Sequence, residues 1–205
     1  VDTGWTFYTP YSSLTSNSNV MVTGIGIFIT GFSSILTGLN FMVTIHRMRA
    51  PGMTWFRLPL FVWALYATSL VQILATPVIA ITLGMLVLER GLGFGIFDPR
   101  LGGDPVLFQH LFWFYSHPAV YIMILPAFGV VLDVLPVHAR KPLFAYRLAV
   151  GSFFAIVALS FVVWAHHMFV AGMAQEWMGP FMVLTELISV PTGVVFLSAL
   201  GTIWL

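Results

Sequence analysis

The 205-residue chain contains no cysteine, which excludes disulfides and thiolate ligation of metals and leaves imidazole as the ligand type at hand. Charge is nearly as scarce. Lys and Arg together number 8 and Asp and Glu 7, so charged residues make up 7% of the chain, against about 25% in a soluble domain. Such a sequence cannot clothe a water-facing surface, and its class is that of a membrane protein. Short alternating strands are missing too, so the apolar runs predict helices and exclude a closed barrel. There is no initiator Met and no signal-peptide pattern at the start, and the sequence ends inside the apolar Ile203-Trp204-Leu205. The chain therefore reads as an internal piece of a longer protein.

What is present is organised by the bilayer, whose core of about 30 Å takes roughly 20 helical residues to cross. Apolar runs of that length occupy approximately 20–45, 58–88, 106–132, 148–175 and 177–205, the last interrupted only by Glu186. These predict an all-α, polytopic transmembrane bundle with five spans in a single domain, 1–205. Basic residues set its orientation. Arg47, Arg49 and Arg57 fall between the first and second runs and Arg140, Lys141 and Arg147 between the third and fourth, so both loops are predicted to be cytoplasmic. The segments around 89–104 and 175–176 lack such an excess and face outward. Pro77, Pro126 and Pro191 lie inside apolar runs, where each removes a backbone hydrogen bond and kinks the helix.

Histidine carries the chemistry. His166 and His167 stand side by side at the end of the fourth run, and ionisable groups at that depth are expensive unless they have a task. His117 lies on the third run about 11 residues from its outer end, or roughly 16 Å at the helical rise. The fourth run travels the opposite way, so all three imidazoles fall in the outer half. Three neutral imidazoles with an open position make a copper or zinc site. Tyr121 lies four residues after His117, on the same helix face, where a phenol can supply an electron and a proton. His46 and His138 sit beside arginines at the inner interface, and His110 reads as an outer-face residue.

The ordered motifs carry a resemblance. Gly102-Gly103-Asp104-Pro105, Trp113-Phe114-Tyr115-Ser116-His117-Pro118-Ala119-Val120-Tyr121, Trp164-Ala165-His166-His167-Met168 and Val190-Pro191-Thr192-Gly193 resemble subunit I of the haem-copper terminal oxidases, the cytochrome c and quinol oxidase family. The likeness covers nearly the whole chain and implies the fourth to eighth of about twelve spans. It implies that His117, His166 and His167 hold the active-site copper, with Tyr121 covalently bonded to His117. The haem-iron ligands would lie outside the chain, leaving Trp113, Val120 and Trp164 as haem-pocket wall. Oxygen would be reduced to water with electrons from cytochrome c or quinol, among other oxidase subunits and membrane lipid, with no nucleic acid involved. The implied setting is a bacterial or archaeal cytoplasmic membrane rather than the mitochondrial inner membrane.

Proton delivery departs from the family pattern. Ser33, Ser34 and Asn40 match one route, but the usual glutamate two places after the first copper ligand is Ala119. The resemblance implies that Tyr115 and Ser116 take over that relay. On the second route Thr192 remains, while Leu132 and Val195 replace a serine and a lysine. Glu186, the one acid inside a predicted span, is a candidate proton carrier or neighbour of the metal. Two other readings stand beside the oxidase. A nitric oxide reductase of the same superfamily, with non-haem iron for copper, fits the lost proton residues and Glu186 but not Tyr121. A transporter or structural bundle fits the hydropathy but not the ordered motifs.

Overall fold

The structure is a computed structural model that describes residues 1–204. Its helices are α1 (Val20–Arg47), α2 (Leu60–Leu92), α3 (Pro105–Ala139), α4 (Tyr146–Ser160), α5 (Gln175–Leu187) and α6 (Ser189–Trp204), and no strand occurs among the described residues. The boundaries follow local chemistry. Asp104 caps α3 by accepting from the Val106 N–H at 2.8 Å, with Pro105 in the first turn, where its missing N–H costs nothing. Gly93 closes α2 at φ +73°, a left-handed position that suits a residue without Cβ.

The all-helical membrane class holds, and the count of spans is corrected. Among the described residues four runs are long and apolar enough to cross a bilayer: α1, α2, α3 and the stretch Gln175–Trp204 that α5 and α6 form together. The expected fourth span, 148–175, is helical only to Ser160, and 15 residues rise about 22 Å, short of the bilayer core. Apolar composition cannot tell a helix from a tight turn, and here the chain leaves the helix. It continues through a short 3-10 turn, Trp164–Met168, that carries the histidine pair. The turn satisfies its own backbone, with Val162 N–H donating to the Leu159 carbonyl at 2.9 Å, His166 N–H to Val163 at 3.3 Å and Ala171 N–H to Met168 at 2.9 Å.

Close packing fixes the bundle. On α1 the buried residues Gly24, Gly31, Gly38 and Ile45 recur every seven positions, the repeat of a left-handed helix crossing. A Cβ at Gly38 would stand 3.1 Å from the Ser69 carbonyl and 3.2 Å from Gln72 Oε1, so the repeat of glycines lets α2 approach. At the α2 and α3 crossing a Cβ on Gly129 would meet Phe61 Cα at 2.7 Å. Asp133 of α3 accepts the first-turn N–H groups of Leu60 and Phe61 at 2.8 and 2.9 Å, capping α2 from a neighbouring helix.

Both ends of the bundle are tied in agreement with the loop charges. At the basic end Tyr146 donates to the Leu58 carbonyl at 2.6 Å, and Lys141 donates to the Ile203 carbonyl at 3.1 Å, which brings the end of α6 beside the α3 to α4 loop. At the opposite end Arg90 donates to the Ser12 carbonyl at 2.8 Å, and Glu89 accepts from the Phe97 N–H. The alternation of loops read from Arg and Lys is therefore the alternation of the fold.

Candidate metal centre

His117 projects from the middle of α3 and is buried at 5% exposure, one turn after Trp113 and one before Tyr121. The 3-10 turn packs on the same helix and brings His166 and His167 to it. One ligand nitrogen from each of the three imidazoles lies within 4.8 Å of the others. His117 Nδ1 and His167 Nε2 are 3.3 Å apart, and the His166 ring stands perpendicular to that of His117 with centroids 4.5 Å apart.

Imidazole nitrogens at 2.0 to 2.1 Å from one shared metal, at trigonal or tetrahedral angles, lie about 3.3 to 3.6 Å from one another. The His117 to His167 distance meets this directly. His117 Nε2 is buried with no hydrogen-bond partner among the described residues, which leaves that ring's second nitrogen uncommitted. Among the described residues no carboxylate joins the cluster of three, and an all-imidazole set suits copper, zinc, iron or nickel.

Neighbours hold each ring. His167 stacks on Trp113 with centroids 3.7 Å apart and planes 8° apart, and the Trp113 indole N–H donates to Tyr8 Oη at 2.5 Å. His166 Nδ1 lies 3.0 Å from Thr185 Oγ1 on α5, a bond that orients the ring and leaves Nε2 free to face an ion. Tyr121 is half-buried, its ring 4.9 Å from that of His117 by centroids. Thr185 and Tyr8 escaped the sequence reading. Thr185 sits next to Glu186, but on a helix that shift turns a side chain by about 100°, and no pattern distinguishes the two in advance.

The remaining candidates are spread more widely. Ser116 is buried beside His117, while Tyr115 is half-buried. Ser34 Oγ is 3.5 Å from Thr76 Oγ1, whereas Ser33 and Asn40 lie on the exposed side of α1, with Asn40 accepting from Thr44 at 3.3 Å. The Thr192 hydroxyl donates to its own helix at the Ile188 carbonyl, 2.9 Å away, and Glu186 is exposed. Trp164 donates to His110 Nδ1 at 3.2 Å, and both line a cleft of about 600 Å³ with Trp177 and Phe181. Val120, three residues after His117 on α3, is 39% exposed.

The sequence was compared with known proteins. The profile of the family described as Cytochrome C and Quinol oxidase polypeptide I matches residues 1–205. Cytochrome c oxidase subunit 1 of Thermostichus vulcanus is 47% identical over 202 residues, which is 98% of this chain and 36% of the relative. The same subunit of a Synechocystis strain is 49% identical over 202 residues, and that of Cereibacter sphaeroides 44% over 201, again covering 98% of this chain and 36% of each relative. The chain thus spans about a third of the length of these relatives. It belongs to the cytochrome c and quinol oxidase polypeptide I family.

Proposed function

We propose that the chain forms the copper-holding part of a respiratory terminal oxidase that reduces O2 to water and couples this to proton movement across a bacterial or archaeal cytoplasmic membrane. The observation that carries the reading is the convergence of His117, His166 and His167 beside Tyr121. Copper bound by the three imidazoles would supply electrons and polarise a bound oxygen species.

Reduction of O2 to two waters takes four electrons and four protons. Tyr121 stands where its phenol can contribute one of each, as a hydrogen donor beside His117. Thr185 holds the His166 ring through Nδ1, and Trp113 holds His167 by stacking, so two of the three ligand rings are oriented by neighbours. Ser116 and Tyr115 relay protons toward the site in place of the carboxylate absent at Ala119. Haem would pack against Trp113, Val120 and Trp164, held by iron ligands elsewhere in the subunit. Electrons would come from cytochrome c or quinol through other subunits of the complex.

A nitric oxide reductase is the second reading, favoured by one set of observations. Leu132 and Val195 are buried at 1% and 3% exposure in apolar surroundings and can pass no proton, and Glu186 lies one residue from the Thr185 that touches His166. Tyr121 separates the two. In the full complex, Tyr121→Phe is expected to abolish oxygen turnover with metal content near normal. Retained oxygen reduction in that variant would overturn the assigned role.

A further inference from the structure

Along α2, the polar side chains Thr68, Gln72 and Thr76 recur every four residues and so line one face, whereas the buried hydroxyls of Ser69 and Thr82 donate to carbonyls of the helix itself. Thr68 and Thr76 are 4% and 1% exposed. Thr68 Oγ1 and Gln72 Oε1 are buried without a hydrogen-bond partner among the described residues, although burying such groups unpaired costs free energy. The line points to the site. Thr76 Oγ1 is 3.5 Å from Ser34 Oγ, and Tyr115, two residues before His117, is half-buried against the core clusters to which Val71, Ala75 and Ile79 of α2 belong. Pro77 lacks the N–H that would bond the Ile73 carbonyl, which adds a backbone acceptor in the same turn.

Resting on the oxidase reading, we infer that Thr68, Gln72 and Thr76 of α2, joined by water, form the proton track that feeds Tyr115 and the metal centre. The spacing fits this. Four residues rise about 6 Å along a helix, and two hydrogen bonds of about 2.8 Å through one water span about 5.6 Å. One water therefore bridges each gap. Each relay group accepts one proton and releases another, so only O–H bonds change and no electron moves. Gln72 holds the waters in line through its amide and is a positioning residue. The track runs between α1 and α2, which is why Ser34 joins it while Ser33 and Asn40, on the exposed side of α1, do not.

A structural role for the same polar groups, as hydrogen-bonding glue between helices, would respond differently to substitution. The test uses the full complex reconstituted in phospholipid vesicles, measuring turnover and proton uptake from the basic side with O2 and, separately, with nitric oxide as electron acceptor. Thr76→Val and Gln72→Leu are expected to slow both quantities at least tenfold with thermal midpoint and metal content unchanged, and Thr76→Ser to restore them. Thr82→Val is the control, because the Thr82 hydroxyl donates to its own helix at the Val78 carbonyl, 2.7 Å away. It should turn over as the unsubstituted protein does. Turnover by Thr76→Val equal to that control, or no recovery in Thr76→Ser, would overturn the track. A complex that reduces nitric oxide but not O2 would overturn the oxidase reading alone, since the same variants judge the track with either acceptor. Reduction of neither would overturn both.

Discussion

The two segments that build the candidate metal centre differ in backbone. His117 stands on a continuous helix of 35 residues, one turn from Trp113 and Tyr121, while His166 and His167 stand on a five-residue 3-10 turn after α4 has ended. The helix supplies position through packing, because Gly129 and Asp133 lock α3 against α2. The turn is anchored by its buried Ala165 and Met168, and its rings depend on partners: Thr185 for His166 and Trp113 for His167. A centre made this way takes one ligand from the scaffold and two from a segment that the scaffold must hold in place.

The largest effect is expected from His166→Ala. Metal content and turnover should both vanish in the purified complex, and a bound metal at normal occupancy would remove the turn from the site. Thr185→Val sharpens the contrast, since it deletes only the support. Loss of an outer partner of this kind typically weakens metal affinity by about 10 to 100-fold, read as metal retained against a chelator. Unchanged retention would mean that the turn holds itself.

On the helix side, Gly129→Ala places a Cβ against Phe61 Cα and should destabilise the fold by about 1 to 3 kcal/mol, the ordinary range for overpacking. Thermal unfolding reads the cost, and metal retained by the folded fraction would show that α3 shifts without releasing His117. The smallest effect concerns the outer loop. The Arg100 guanidinium beside Asp98 holds that carboxyl below its usual range, so the pair stabilises the loop above the unfolded-state pKa of about 3.9. That contribution is lost as pH falls through the lowered folded value. With Arg100 71% exposed the effect is small. Asp98→Asn should flatten the decline of the thermal midpoint below about pH 4, and an unaltered decline would show that the pair contributes nothing.

The contrast between helix and turn also marks what the sequence could tell. Long apolar runs gave away α1, α2 and α3, and the placing of Arg47, Arg49, Arg57, Arg140 and Arg147 disclosed which loops share a side. His117 and Tyr121 were legible because four-residue spacing has one meaning on a helix. The end of α4 at Ser160 was not, since Phe161, Val162 and Val163 are as apolar as the residues before them and hydropathy is blind to backbone conformation. Partners across helices were hidden for another reason. Thr185 and Tyr8 reach the histidines and Trp113 from 19 and 105 residues away, and no local pattern encodes such pairings. Thr68, Gln72 and Thr76 carried a readable signal in their spacing, but only the burial of their unpaired atoms gives it meaning.

The most direct test of the account is the copper and non-haem iron content of the purified, full-length complex, counted against haem and corrected for copper in any partner subunit. The oxidase reading predicts one copper per catalytic subunit, lost in His166→Ala. Iron in its place, at one atom per subunit, would contradict the oxidase and make nitric oxide the substrate.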